Sequence, residues 1–403
     1  MANTLFRKGL GLKHAVEGEL LRDYHSSLVS KIRDSDYQHS AGRLTIHLAQ
    51  EFGFCYGVDR AVDYAYQTRR RFPDKTVFLT GEIIHNPHVN SRLRDAGIRF
   101  LSDPNENIDS VTADDVVILP AFGITVAELS LLTDRSCTLV DTTCGSVLNV
   151  WKNVKKYARD GYTAVIHGKV KHEETQATAS QAIAVDGGQY LIVLDREEVE
   201  IVCDFIRGHG DSNSFQKRFS NSVSRHFDPK RDLRRVGLAN QTTMLMSESL
   251  AIAEMFRDAM IERYGDLLID DHYRAFETIC SATQDRQDAV QRLLDEQDFD
   301  FMIVIGGYNS SNTRNLARIC AERVDTYHIA DPKCLLSVEQ LRHLPTTHKA
   351  DVKNLGEVTS SGWLPTQGPI NVGITAGAST PDIIVGEAID RISDFSAASI
   401  FRS

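Results

Sequence analysis

Three cysteines share one sequence setting. Cys55 stands in Gly53-Phe54-Cys55-Tyr56-Gly57 after the extended run 45–49, Cys144 in Asp141-Thr142-Thr143-Cys144-Gly145 after 137–140, and Cys280 in Cys280-Ser281-Ala282-Thr283 after 275–279. Apolar residues then recur at helical spacing: Val58, Ala61, Val62 and Ala65 behind the first, Val147, Leu148 and Trp151 behind the second, and Ala289, Val290, Leu293 and Leu294 behind the third. Ser281 to Gln284 resembles a capping box. Each cysteine is therefore expected to open a helix, where the dipole and unpaired N–H groups favour thiolate, the form that binds soft metals. The wide separations exclude a zinc knuckle or a ferredoxin-type cysteine run, so the three ligands must converge from three α/β units. Three thiolates on an iron–sulfur cubane leave one iron open to a substrate oxygen, for which it acts as a Lewis acid. Composition alone leaves a second reading, three small buried hydrophobes. Cys137, Cys203, Cys320 and Cys334 lack the setting and read as structural.

Small polar groups cluster where other strands should end. Asn309-Ser310-Ser311-Asn312 follows the run 301–305 and Gly306-Gly307, and precedes a helix. Backbone N–H groups with Ser and Asn side chains form an anion site that requires no fixed positive charge. Ser379, in Ala376-Gly377-Ala378-Ser379-Thr380-Pro381, reads as a helix cap or a phosphate ligand. His85 and His172 follow strands as ring donors, with a structural role as the alternative for each. Glu174 is the candidate proton source for reductive loss of a hydroxyl, or else a carboxylate complementing a helix N-terminus. Thr242 and Thr243 offer hydroxyls that relay a proton or orient that acid.

Short β-branched runs at 76–79, 116–119, 164–166, 191–194, 302–305 and 371–374 alternate with amphipathic stretches, which predicts parallel α/β units with sites at the strand ends. We expect an N-terminal extension over 1–43 holding one short helix at 17–32, then α/β domains at 44–143, 144–279 and 280–403, the last with a C-terminal tail. The polar stretches 208–235 and 346–369 read as surface loops or insertions. The first is locally basic, and Lys217, Arg218, Arg225 and Arg231 are candidates for contact with an acidic electron donor. At 403 residues with 42% hydrophobic content, the chain has ample material for these cores. A net charge of -10 argues against a nucleic-acid partner. Seven dispersed cysteines fit a reducing compartment, and no apolar run is long enough to span a membrane. Acids among the first forty residues are unlike a transit peptide, so a cytoplasmic protein is expected, with the plastid stroma the lesser reading.

Taken together these motifs resemble one family, the 4-hydroxy-3-methylbut-2-enyl diphosphate (LytB) reductases, over residues 44–392. The resemblance rests on Gly53-Phe54-Cys55 with 57–62, Glu82-Ile83-Ile84-His85-Asn86, Asp141-Thr142-Thr143-Cys144, His172-Glu173-Glu174-Thr175, Gln241-Thr242-Thr243, Thr278-Ile279-Cys280, Asn309-Ser310-Ser311-Asn312 and 375–379, in that order. It implies a trefoil of three α/β domains, in pseudo-three-fold arrangement around a [4Fe–4S] cluster held by Cys55, Cys144 and Cys280 with its fourth iron open. By the same resemblance His85, His172, Ser310, Ser311, Asn312 and Ser379 hold the diphosphate, Thr242 and Thr243 also bind the substrate, and Glu174 with Thr242 and Thr243 delivers the proton. The implied reaction removes the substrate hydroxyl as water, with two external electrons, and yields isopentenyl and dimethylallyl diphosphate. Pro120-Ala121-Phe122-Gly123 stands where the commoner bacterial form has a His, which removes one expected diphosphate donor. The Phe version and the N-terminal extension look like the plant and cyanobacterial branch, which implies ferredoxin or flavodoxin as donor to a monomer or homodimer. An iron–sulfur redox sensor and an open-iron hydro-lyase are the competing classes; neither would consume electrons while releasing a reduced product.

Overall fold

Continuous apolar runs become parallel strands covered on both faces, because a strand with no polar side cannot face water. Val116–Leu119, Thr163–His167 and Phe301–Ile305 are buried at every position. The computed structural model of the protein describes residues 5–276, 278–346 and 356–399. The chain groups into two compact units.

The first unit comprises Met1–Arg7, Phe78–Gly81 and Phe100–Cys280 and is built on two sheets. One has the strand order Leu5–Phe6, Thr138–Asp141, Val116–Leu119, Val77–Leu79, Ile98–Phe100. The other runs Tyr273–Ala275, Val236–Asn240, Thr163–His167, Tyr190–Val193, parallel throughout. Val165, Leu238, Phe256 and Met260 belong to the largely apolar core on one side of this second sheet. Its strands deliver the chain into segments 168–172, 241–245 and 278–280 at one edge, the carboxyl end where α/β sites lie.

The second unit comprises Lys8–Val77, Glu82–Arg99 and Ser281–Ser403. Its sheet has the order Thr326–Ile329, Phe301–Ile305, Ile370–Ala376, Leu44–Leu48, Gln38–Ala41, parallel except for the last pair. Ile46, Ile303, Ile374, Val385 and Ile389 form its core. Leu44–Leu48 therefore extends the sheet of the C-terminal strands. That pairing brings the segment before Cys55 beside the turns that follow Ile305 and Ala376, since Leu48 pairs with Ile374 and Ile305 with Ala376.

The helix expected at 17–32 is two helices, Lys13–Tyr24 and Ser27–Arg33, because Ser26 accepts the Val29 N–H at 3.3 Å and starts a new one. The residues around them are tied down: Leu5–Phe6 pairs with Leu139–Val140, Gln38–Ala41 pairs with Leu44–Leu48, and Val29 is fully buried. The stretch 208–235, expected as loop, holds helices Ser212–Phe219 and Pro229–Asp232. Its few apolar residues are spaced to matter: Phe215 and Phe219, one turn apart, are buried in the core with Phe205. Of the stretch 346–369, residues 347–355 lie outside the described ones, while Val358–Ser361 forms an antiparallel ribbon with Gln340–His343. Among the described residues no helix is long and apolar enough to cross a membrane.

Candidate active site

Each of the three cysteines stands at a helix start. Cys55 is the extended residue before Tyr56–Arg71, Cys144 the same before Gly145–Arg159, and Ser281–Glu296 begins directly after Cys280. All three are partly exposed and none of the seven cysteines is in a disulfide. The other four are buried. Burial pushes the Cys137 thiol up and those of Cys203 and Cys320 up to about 12, which suits a neutral apolar filler and not a ligand. Backbone bonds fix the three turns: the Cys55 N–H donates to Ala378 O at 3.1 Å, that of Cys144 to Ala121 O at 3.0 Å, and that of Cys280 to Thr242 O at 3.2 Å. Soft, accessible thiols beside helix N–H groups are the donor set that an iron–sulfur group requires.

In the first unit, Glu174 lies in the first turn of the helix Glu173–Ile183 and is only 1% exposed. Its Oε1 accepts the Thr242 N–H at 2.6 Å. His172 caps the same helix: its Nδ1 accepts the Glu174 N–H at 3.2 Å, which assigns the ring's N–H to Nε2. The Gln241 side chain ties the turn together, accepting from the Lys169 N–H at 3.1 Å and the Thr175 hydroxyl at 3.2 Å while donating to Thr243 Oγ1 at 2.9 Å. A Cβ on Gly168 would come within 2.8 Å of Thr175 Oγ1 and 2.9 Å of Gln241 Cβ, so this contact needs glycine. Thr278 accepts the Asn240 N–H at 2.6 Å, which anchors the strap carrying Thr242 and Thr243. Phe122 sets its ring against His172, centroids 5.4 Å apart and edge-on at 80°.

In the second unit, Ser310 caps the helix Ser311–Ala321 by accepting the Thr313 N–H at 3.3 Å. Asn312 accepts the Ala378 N–H at 2.9 Å through Oδ1, while its buried Nδ2 has no partner among the described residues. Ser379 donates to His85 O at 3.3 Å, and His85 Nδ1 lies 2.8 Å from Glu82 Oε2. Ser310, Ser311, Asn312, Ser379 and His85 are all buried. A Cβ on Gly307 would stand 2.4 Å from His85 O, so the glycine lets the two loops touch. Hydroxyls, an amide and an imidazole thus gather at one sheet edge around the turn that carries Cys55. A buried donor without a partner costs about 1–3 kcal/mol, which an anionic ligand would offset.

The family model described as LytB protein matches residues 46–393. This chain belongs to that family. The 4-hydroxy-3-methylbut-2-enyl diphosphate reductases of Crocosphaera subtropica and Picosynechococcus sp. are each 47% identical to this LytB chain, covering 97% of it and 94% of the relative. That of Rippkaea orientalis is 46% identical over 98% of the chain. These relatives are cyanobacterial, in keeping with the branch expected from the Phe122 segment. Among solved structures, that of an (E)-4-hydroxy-3-methyl-but-2-enyl diphosphate reductase superimposes with a TM-score of 0.52 at 28% identity, covering 87% of this chain and 99% of the other. The Plasmodium falciparum E-1-hydroxy-2-methyl-but-2-enyl-4-diphosphate reductase structure shares the fold, with a TM-score of 0.59 at 20% identity and 86% coverage of both.

Within this LytB chain each unit brings together its own share of the expected residues: Cys144, Cys280, His172, Glu174, Thr242 and Thr243 in the first, and Cys55, His85, Ser310, Ser311, Asn312 and Ser379 in the second. His88, unassigned from sequence, lies edge-on to Tyr24 with its Nε2 3.4 Å from Asp23 O. Arg286 escapes a motif search, yet its buried guanidinium donates to Gly53 O and Ala282 O at 2.7 Å each, steadying the turn before Cys55. The signal was present: Arg286 falls on the apolar stripe of its helix, four residues before Val290, and a cation there needs a buried acceptor.

Proposed function

We propose that this protein reduces 4-hydroxy-3-methylbut-2-enyl diphosphate to isopentenyl and dimethylallyl diphosphate, the last step of the methylerythritol phosphate route to isoprenoids. It is an oxidoreductase of the LytB family, and the family's iron–sulfur chemistry is its redox equipment. The observation carrying the reading is the sorting of seven cysteines into four buried thiols and three that begin helices on the family's motifs. In our reading Cys55, Cys144 and Cys280 hold a [4Fe–4S] cluster by three corners. When bound, such a group supplies electrons and a Lewis-acidic iron for the leaving oxygen.

The overall change consumes two electrons and two protons: the C–O bond breaks, the hydroxyl leaves as water, and a new C–H bond forms. Glu174 delivers the proton to the leaving hydroxyl, with its carboxylate aimed by the Thr242 N–H at 2.6 Å. Thr242 and Thr243 offer hydroxyls beside that acid. The diphosphate binds to His85, His172, Ser310, Ser311, Asn312 and Ser379, a set of donors at or near helix starts that includes no Lys or Arg. We assign the electrons to a ferredoxin or flavodoxin and the enzyme to the cytoplasm.

The test is turnover by anaerobically reconstituted protein given a chemical reductant and the hydroxylated diphosphate. Reductant oxidation with release of two isomeric products is expected. A hydro-lyase would leave the reductant untouched, and a sensor would release no product.

A further inference from the structure

The three helices that begin at the candidate ligands differ in charge. Tyr56–Arg71 carries Asp59 and Asp63 among its arginines, and Ser281–Glu296 carries Asp285, Asp288, Asp295 and Glu296. Gly145–Arg159 has no acidic residue and holds Lys152, Lys155, Lys156 and Arg159. That inverts the balance of a chain whose net charge is -10. Its buried side is Val147, Val150, Val154, Tyr157 and Ala158. At 3.6 residues per turn the opposite side aligns Leu148, which is 42% exposed, with Lys152, Lys155, Lys156 and Arg159.

None of these four cations has an ion-pair partner among the described residues. Lys152 with Lys156, and Lys155 with Arg159, are like-charge pairs four residues apart, each costing a few tenths of a kcal/mol in helix stability. A chain with 55 acidic residues had the means to remove that repulsion. The basic stretch 208–235 differs, since Arg218 is paired with Glu198 at 3.0 Å and Arg231 with Asp232 at 2.7 Å. Leu148 stands four residues along the helix from Cys144, a rise of about 6 Å.

We propose that the exposed side of Gly145–Arg159 is the docking surface for an acidic one-electron carrier protein, seated on Leu148 beside Cys144 and steered by the four cations. This rests on the reductase reading above. Two reduced carriers each give up one electron per turnover, and the electron pair is consumed in breaking the substrate C–O bond with uptake of two protons. Opposite charge across the contact accelerates encounter, and salt screens it.

The experiment compares two reductants on the holoenzyme: a reduced acidic [2Fe–2S] ferredoxin, and dithionite with methyl viologen. For Lys152→Glu combined with Lys156→Glu, the KM for ferredoxin rises about tenfold or more and its salt dependence flattens. Turnover with the small reductant stays at the wild-type rate, which also shows that the variant is folded. Lys217→Glu combined with Arg225→Glu changes the ferredoxin KM by less than about twofold. An unchanged ferredoxin KM in the first variant, equal losses with both reductants, or a larger effect in the second variant overturns the proposal. A wild-type enzyme inert with the small reductant speaks against the reductase reading instead. Direct ferredoxin binding, weakened about tenfold by the first variant and not by the second, then still decides the surface.

Discussion

The group around Glu174 and the group around Asn312 use similar local structure for different purposes. In both, a parallel strand ends, a short turn follows, and a polar residue caps a helix: His172 in the first unit and Ser310 in the second. The first group places a carboxylate inside, held by the backbone of Thr242. The second has only neutral donors at its helix start, with the Asn312 Nδ2 buried and lacking a partner among the described residues. A buried acid is a device for moving a proton, whereas buried amides and hydroxyls are a device for holding an anion through both ends of a reaction. The difference teaches that a helix N-terminus sets the polarity of a site, while the one residue placed in its first turn selects the chemistry.

The largest effects are expected at the three cysteines that begin helices. Cys55→Ser in the second unit, and Cys144→Ser or Cys280→Ser in the first, should each lower bound iron and sulfide and abolish turnover, while Cys320→Ala keeps the wild-type iron content. Full iron retained by Cys55→Ser but lost in Cys144→Ser would separate the two groups. Next in size, Glu174→Gln should reduce kcat by roughly a hundredfold or more with KM little changed, the pattern of a lost proton donor. Asn312→Ala should do the opposite, raising KM by about tenfold or more through loss of one charge-assisted hydrogen bond, with kcat nearly intact. Steady-state kinetics with a small reductant measures both, and a kcat effect at Asn312 would erase the distinction. A smaller change is expected from Phe122→His, which puts a ring donor beside His172 and should lower KM several-fold, on the order of 1 kcal/mol.

A last effect concerns stability rather than turnover and should be common to both units. Burial lowers His167 in the first unit and His328 in the second from 6.5 to about 4. Their unfolded forms take up a proton near pH 6.5 while the folded ones stay neutral until about pH 4, so acid favours unfolding within that window. Stability is full above pH 6.5 and falls as the pH drops through the window, by at most about 3 kcal/mol per histidine. Urea midpoints at pH 7 and pH 5 should show the loss, and His167→Asn should reduce the slope between them. An equal slope in that variant would remove His167 from the account.

Much of each group was legible because its signals are local. Ser310 followed by a helix, Glu174 in a first turn and the three cysteines at helix starts all follow from spacing within a few residues. The 208–235 helices were not legible, because only Phe215, Phe219, Val223, Phe227 and Leu233 interrupt a polar run and propensity alone cannot weigh the buried rings of Phe215 and Phe219 against it. The run 45–49 read as extended and falls on the strand Leu44–Leu48, yet nothing in its own residues says that it pairs with Ile370–Ala376. Arg286 was overlooked for the same reason, since its acceptor at Gly53 is far away in the chain.

The amino-acid order alone determined the α/β class, the helix starts that present Cys55, Cys144 and Cys280, and the residue types able to hold an anion or give a proton. Periodicity and capping act over one or two turns, so they can be read along the chain. Only the tertiary structure decided that the Thr242 N–H meets Glu174, that Thr242 O receives the Cys280 N–H, and that Lys152, Lys156 and Arg159 stand exposed, and Lys155 half-buried, without an ion-pair partner among the described residues while the cations of 208–235 are partly neutralised. Such pairings join residues remote in sequence, and strand register and core packing, which have no local signature, choose among them.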